Sequence, residues 1–353
     1  MKFGIYSEMQ CPPNKSQRRL YWEVQRQIEH ADEVGFDTYA LVDHHNFPEF
    51  SICPNPLGMF ASVAQTTKRI RFRTSLHIIP LQNPIRLAGD IAALDVLTNG
   101  RMEVGVGRGH AWVYNMPNAG GIPMSESKER LREGAEILKL ALTQENFSYH
   151  GKFYQVENCT VVPRPVQKEF KFSGGGTSKN TYEIHGRNGW AIGIPILLPD
   201  EKFIDGLNTY VEQCKLNGHE PEVHYMRLVY IDENEKRIRE DIEEHCLQFV
   251  KGNASPMVGV PKDEKALREA GFDFYAEGIL NELAEKLTYD DMMEQGIIIA
   301  GTPKQVIRKL EEAAARIPGF AEMTMLCNYG GMDHWKAIKT QELMATKVMP
   351  YFK

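Results

Sequence analysis

Met102-Glu103-Val104-Gly105-Val106-Gly107-Arg108-Gly109-His110 reads as a short buried strand, Met102 to Val106, running straight into a glycine-rich loop. Two folds contain such a segment. In an open doubly wound sheet, a glycine fingerprint follows the first strand, opens a helix and cradles a dinucleotide. In a closed α/β barrel, a strand end of this kind faces the mouth, where the chemistry gathers. Here no helix pattern starts directly after the glycines, and three strand–helix units come before them. The first strand, Lys2 to Ser7, is followed by Cys11-Pro12-Pro13 rather than by a dinucleotide loop. The segment is the fourth strand of a barrel.

Working outward, the same rhythm repeats in both directions. A helix from Ser16 to Val34 carries Tyr21, Val24, Ile28, Ala31 and Val34 at helical spacing and stops at Gly35. Thr38 to Val42 and Ile70 to Leu76 read as strands, and Leu87, Ile91, Leu94 and Leu97 share the face of a helix ending at Asn99-Gly100. Beyond His110 come a helix from Ser125 to Leu142, a small excursion around Gly151-Lys152-Phe153-Tyr154, and strands Phe170–Phe172, Ala191–Ile194, Tyr225–Ile231 and Met323–Cys327. Eight alternating units over 353 residues fit a (β/α)8 TIM barrel, expected as a single domain over residues 1–353 with insertions. Lys251 to Gln295 shows no strand pattern, and a long irregular segment inside a compact domain is usually functional. It is expected to be a mobile lid, with Gly252, Gly259 and Gly271 as flexible points and Met257, Phe272, Phe274 and Tyr275 as its apolar cover.

The composition excludes several classes. A net charge of −6 gives no nucleic-acid footprint, and no apolar run approaches the length of a membrane span. The six cysteines are isolated, without a CxxC pair, and the N-terminal MKFGIY has no signal-peptide hydrophobic stretch. Reduced thiols in a cytoplasmic protein, with no metal centre, are expected.

Three polar segments fall at predicted strand ends. Asp43-His44-His45 closes the second strand, and imidazoles there can move protons near neutral pH. The same tripeptide marks the DHH phosphoesterases, but the further acidic ligand motifs of that class are missing. The competing reading is a polar strand end with satisfied histidines. Arg108 can fork onto a phosphate, where the alternative is a surface ion pair. Gly174-Gly175-Gly176-Thr177-Ser178 precedes a helix, so its N–H groups and hydroxyls can cradle an anion; otherwise it is an ordinary strand–helix turn. His77 and Trp112 are candidates to line a pocket, with packing as the competing role.

The chain resembles the bacterial-luciferase-like flavin monooxygenases nearly end to end. MKFG, GFDTYALVDHH, NPIRLAGDIAALDVLTNGR, GVGRG, GTPKQV and VMPYFK are similar to luciferase α-subunit segments and occur in the same order. GRGHAWVYN and GIPMSESKERLREGAEIL also resemble barrel-type Baeyer–Villiger monooxygenases. The resemblance implies a (β/α)8 barrel that takes reduced FMN from a separate NAD(P)H:flavin reductase. It further implies oxygenation of an aldehyde, ketone or similar small molecule by molecular oxygen through a flavin C4a-peroxide.

By the same resemblance His44 is the active-site histidine, and His45 shapes the pocket. Asp43 replaces a glutamate, and Gly107 replaces a cysteine. Arg108, Gly176, Thr177 and Asn180 hold the flavin phosphate, and Ser75-Leu76 is a non-prolyl cis peptide backing the flavin ring. His77 and Trp112 are placed on the substrate side. A homodimer, or a heterodimer with a related barrel, is expected. Hydride transfer with F420 and a non-catalytic flavin-binding barrel are the alternatives.

Overall fold

The computed structural model describes residues 1–115, 121–176 and 178–352. Eight parallel strands form a ring: β1 (Lys2–Ser7), β2 (Thr38–Leu41), β3 (Arg71–Thr74), β4 (Met102–Gly107), β5 (Phe172–Gly175), β6 (Ala191–Gly193), β7 (Val223–Ile231) and β8 (Phe320–Leu326). Each pairs with the next, and β8 pairs with β1 in the register Lys2↔Glu322 to Ile5↔Met325, which closes the barrel.

The strands are buried on both faces because helices cover the outside and side chains fill the inside. In β1 the alternation is plain. Phe3 meets Phe352 of the C-terminal helix, while a Cβ on Gly4 would lie 2.4 Å from Glu322 Oε1 and 2.5 Å from Thr38 Oγ1. Gly4 therefore faces the barrel axis, and Tyr6 shares its side of the strand.

Helix α1 (Gln17–Val34) starts at its cap Ser16 and ends at Gly35, whose φ of 94° suits glycine. Its buried stripe begins at Leu20, not Tyr21, and continues through Val24, Ile28 and Ala31. Tyr21 instead lies outside and donates its hydroxyl to Ile52 O at 2.9 Å. Helices α2 (Pro56–Val63) and α3 (Pro84–Leu97) follow; α3 opens with Asn83 accepting from the amides of Ile85 and Arg86. In α3 Leu87, Ile91 and Leu94 are buried, whereas Leu97 is exposed. The layer continues with α4 (Ser127–Thr143), α5 (Lys179–Asn188), α6 (Ile204–Leu216) and α7 (Glu235–Ala254). The excursion near Gly151 is an antiparallel hairpin of Phe147–His150 with Gln155–Cys159.

Two sequence readings need correction. Ile298–Gly301 is a strand, paired in parallel with Leu228–Ile231, the outer half of β7. Residues 251–295 are helical rather than irregular: α7 continues into them, and Glu264–Glu269, Asp273–Ala276, Ile279–Lys286 and Tyr289–Glu294 follow. Each piece has its own local signal, such as Asp263 capping Ala266 or the Thr288–Asp291 capping box. Gly271 and Gly278, with φ of 72° and 67°, break the chain between pieces. No amphipathic period runs long enough to be seen in the sequence.

Candidate active site

The strand C-termini meet at one end of the barrel, and the polar segments from the sequence lie there. Space for them depends on β4. A Cβ on Gly105 would lie 1.9 Å from Thr74 O, and one on Gly107 would lie 2.5 Å from Leu76 Cδ1. On Gly109, where φ is 73°, it would lie 2.9 Å from Ile78 Cγ2. The three glycines thus exist for close packing against the end of β3, not for a dinucleotide. The Ser75–Leu76 bond is cis, as the resemblance implied.

Beyond β2, Asp43 is an anchor. It accepts from Gln82 Nε2 at 2.7 Å, with His45 Nε2 at 3.4 Å and His77 Nδ1 at 3.5 Å. Burial alone would raise the Asp43 carboxyl, but the hydrogen bonds from the two imidazoles prevail and hold it low. His45 is half-exposed, and its bond to Asp43 raises its pKa. His77 is buried behind Asp43.

His44 behaves differently. Its backbone amide donates to Cys53 O at 2.9 Å, while its ring packs edge-on to Phe50 at 4.3 Å. The side chain is 1% exposed, and neither ring nitrogen has a hydrogen-bond partner among the described residues. Burial pushes its pKa down to about 3, so the imidazole is neutral, with one N–H and one lone pair free. Trp112 Nε1 and His77 Nε2 are also without a hydrogen bond among the described residues, while His77 Nδ1 faces Asp43. Buried polar atoms are nearly always satisfied, so such a cluster marks a place built to bind something else. Trp112 stacks on His110 at 4.1 Å, and His110 Nδ1 pairs with the Tyr275 hydroxyl.

Arg108 follows β4 and points toward residues 264–276. Its Nη1 donates to Ala270 O at 2.8 Å and its Nη2 to Gly271 O at 2.9 Å, over the Phe272 ring at 4.3 Å. Among the described residues no carboxylate pairs with it, so the surface ion-pair alternative does not apply. Its remaining N–H groups have no hydrogen-bond partner among the described residues.

The glycine turn lies on the neighbouring strand: Gly174 and Gly175 end β5, Gly176 leaves it, and Ser178 caps α5 by accepting from Thr181 N. Asn180 is exposed in the first turn of α5. Thr177 lies outside the described residues. Near Gly175 the closest foreign atom to a Cβ would be Gly193 O at 3.3 Å, which leaves this turn less crowded than the β4 glycines.

Residues 252–275 cross the mouth from the end of β1 to the loop after β4. Asn253 donates to Glu8 Oε2 at 3.0 Å beyond β1, and Asn115 donates to Gly259 O at 3.1 Å. Sequence reading missed Glu8 and Gln82; it quoted His110 only as the end of the glycine-rich segment and Tyr275 only as an apolar lid residue, and their pairing was not foreseen. Glu8 stands one residue past a strand, the rule that found Asp43, but beside Met9 and Gln10 it formed no polar cluster. Among the described residues no group of three or more histidine, cysteine, aspartate or glutamate side chains could hold a metal ion, and no helix is long and apolar enough to cross a membrane.

A parallel eight-stranded barrel with a buried imidazole that has no partner among the described residues, beside the strand C-termini, is an arrangement that small-molecule sites use. The chain belongs to the luciferase-like monooxygenase family, whose profile matches residues 1–318. It is 28% identical over 243 residues to the oxygenase component of flavin-dependent trigonelline monooxygenase from Acinetobacter baylyi, covering 67% of this chain and 66% of that protein. It is 29% identical over 231 residues to the alkanal monooxygenase alpha chain of Photorhabdus laumondii, covering 62% and 61%. Among solved structures, a monooxygenase from Streptomyces bottropensis matches with TM-score 0.80 and 24% identity over 100% of both chains. The oxygenating constituent of 3,6-diketocamphane monooxygenase from Pseudomonas putida, in complex with FMN, matches with TM-score 0.77 and 19% identity over 99% and 98%. The F420-dependent tetrahydromethanopterin reductase of Methanopyrus kandleri matches with TM-score 0.71 and 22% identity over 100% and 99%. At these identities the structural likeness is one of fold.

Proposed function

We propose that this chain is the oxygenase component of a two-component monooxygenase. It would take reduced FMN from a separate NAD(P)H:flavin reductase and use dioxygen to oxidise a small organic substrate. The observation that carries this reading is the buried His44 imidazole, without a hydrogen-bond partner among the described residues, beside the equally unpartnered Trp112 indole at the mouth of a luciferase-like barrel.

The residues fit a flavin. Arg108 has free N–H groups after β4, and the α5 N-terminus after β5 offers unpaired amides to the same phosphate. Ser75 and Leu76 present the end of β3 to the ring. Bound there, reduced FMN supplies the two electrons for activating dioxygen. His44, held neutral, donates or accepts a hydrogen bond at the reacting oxygen and relays a proton. Asp43 fixes His45 and His77 around it, and Trp112 walls the substrate side. Residues 251–295 act as a lid that excludes water. The barrel is expected to pair with a second one, as a homodimer or a heterodimer with a related chain.

The test is anaerobic titration with reduced and oxidised FMN, followed by mixing with oxygen. Tighter binding of the reduced form and oxygen consumption are expected. Tight oxidised FMN that the protein itself reduces with NADH would overturn the two-component reading. F420 turnover without oxygen uptake would assign hydride transfer instead. No turnover with either would leave a binding protein.

A further inference from the structure

We propose that Glu8 is the proton donor of this site, delivering a proton to the oxygen atom that leaves as water. The proposal rests on the monooxygenase reading above and adds a residue to it.

The geometry comes from β1. Gly4 faces the barrel axis against Glu322 and Thr38, and strand residues two apart share a face, so Tyr6 continues that row; Glu8 is the next residue in step, one place past the end of the strand. Glu8 stands one step beyond Ser7, which pairs with Leu41, so it lies level with the Val42-Asp43-His44 end of β2. Its side chain is 4% exposed. Gln10 Nε2 at 3.3 Å and Asn253 Nδ2 at 3.0 Å both donate to the same oxygen, Oε2. Oε1 accepts no hydrogen bond among the described residues. This is how a carboxylic acid is held when one oxygen is fixed and the other carries the proton.

The charge environment agrees. Around Glu8 stand Tyr6 on β1, Gln10 in the following loop, and Asn253 and the Phe249 carbonyl on α7. None is a cation. Burial raises the pKa of Glu8 to about 8, against the smaller opposing pull of Asn253 and Gln10. Burial also lifts the Tyr6 hydroxyl far up, so Tyr6 stays neutral beside it. His44 is neutral at rest and relays a proton rather than storing one, so it works with a separate donor. Glu8 fills that role.

The balance is simple. Two electrons pass from reduced flavin to dioxygen; one oxygen atom enters the substrate and the other leaves as water. The O–H bond of Glu8 breaks as one O–H bond of the water forms, and one of the two protons that the reduced flavin gives up on oxidation supplies the other. The resulting carboxylate keeps its bonds from Gln10 and Asn253, and a proton released by the flavin on oxidation restores the acid.

Glu8→Gln keeps an acceptor for both amides but has no proton to give, whereas Glu8→Asp keeps the proton. The first measurement needs no cofactor: infrared spectra of the protein from pH 5 to 10. A protonated carboxyl band that disappears as pH rises through about 8, and that is missing in Glu8→Gln, is expected. The second is reoxidation of protein-bound reduced FMN by dioxygen. Glu8→Gln should be about a hundredfold slower or more. It should also lose the alkaline fall in rate, while Glu8→Asp retains that fall.

A Glu8→Gln protein as fast as wild type, or no such band, overturns the role of Glu8. Slow turnover in Glu8→Gln with the alkaline fall unchanged points to positioning alone and also overturns it. A wild-type protein that shows the band but binds no reduced FMN overturns the function proposed above, which is a distinct result.

Discussion

The two ends of the barrel interior treat buried polar groups in opposite ways. Toward the strand N-termini, Arg73 is fully engaged. Its Nε donates to Glu103 at 2.9 Å, and its two Nη atoms donate to the two Glu322 oxygens at 2.7 and 2.9 Å. Thr38 and Thr324 complete the Glu322 carboxylate. Burial would raise Glu322, but Arg73 brings it down to about 2. Toward the C-termini, His44 and Trp112 are as deeply buried, yet their ring nitrogens have no hydrogen-bond partner among the described residues. A chain that satisfies Arg73 and its two carboxylates at one end has not left the other unsatisfied through poor packing. The contrast separates a stabilising layer from a working one.

The largest expected effect tests the working end. His44→Ala should lower turnover by about 10²–10⁴-fold while leaving reduced-FMN affinity and unfolding midpoint nearly unchanged. Unchanged turnover on the substrate would remove His44 from the chemistry. At the other end the readouts should reverse. Arg73→Leu strands the buried Glu322 carboxylate, while Glu103 keeps its bond from Arg71 at 2.7 Å, and should destabilise the protein by about 3–5 kcal/mol in chemical denaturation. A folded, equally stable Arg73→Leu protein would break the contrast between the two layers.

Arg108→Ala comes next. A charge-assisted bond is worth about 1.5–3 kcal/mol, so FMN should bind about ten- to hundredfold more weakly while riboflavin, which has no phosphate, loses little. Equal losses for the two ligands would place the importance of Arg108 in its contact with Ala270 and Gly271.

The smallest effect is electrostatic and sits at the edge of the working layer. Since the bond to Asp43 raises the pKa of His45, its stabilising contribution is complete below the unfolded value of about 6.5 and fades as pH rises through the folded one. Asp43, held low, stays ionised across that range. His45→Ala should therefore melt slightly earlier than wild type in acid and converge with it in mild alkali. His45 is half-exposed, so solvent screening keeps the difference small. A gap that widens with rising pH would refute the pairing.

How much of this could be read from the chain depended on the range of each interaction. Strand ends such as Asp43-His44 and Gly107-Arg108 were legible because strand, turn and helix follow one another locally. The β4 glycines were legible as a strand end, but their partners on β3 were not, since that packing is tertiary. Ile298–Gly301 was lost because its apolar run is short and abuts Thr302-Pro303, a helix start. The bonds of Arg108 to Ala270 and Gly271 span 162 and 163 residues, beyond any periodic signal. Tyr21 and Leu97 carried the right residue type at a position one step off the buried face.

The forked pairing of β7 has a consequence for how such proteins diversify. Its inner half pairs with β8 and its outer half with Ile298–Gly301, Ile231 standing opposite Gly301. The chain that crosses the mouth is thus spliced between two points fixed side by side in one sheet. Lengthening such an insertion adds little entropic penalty, about 0.6 kcal/mol per doubling. The barrel can therefore keep its scaffold and exchange this stretch as a cassette, altering which molecules it admits without re-evolving its core.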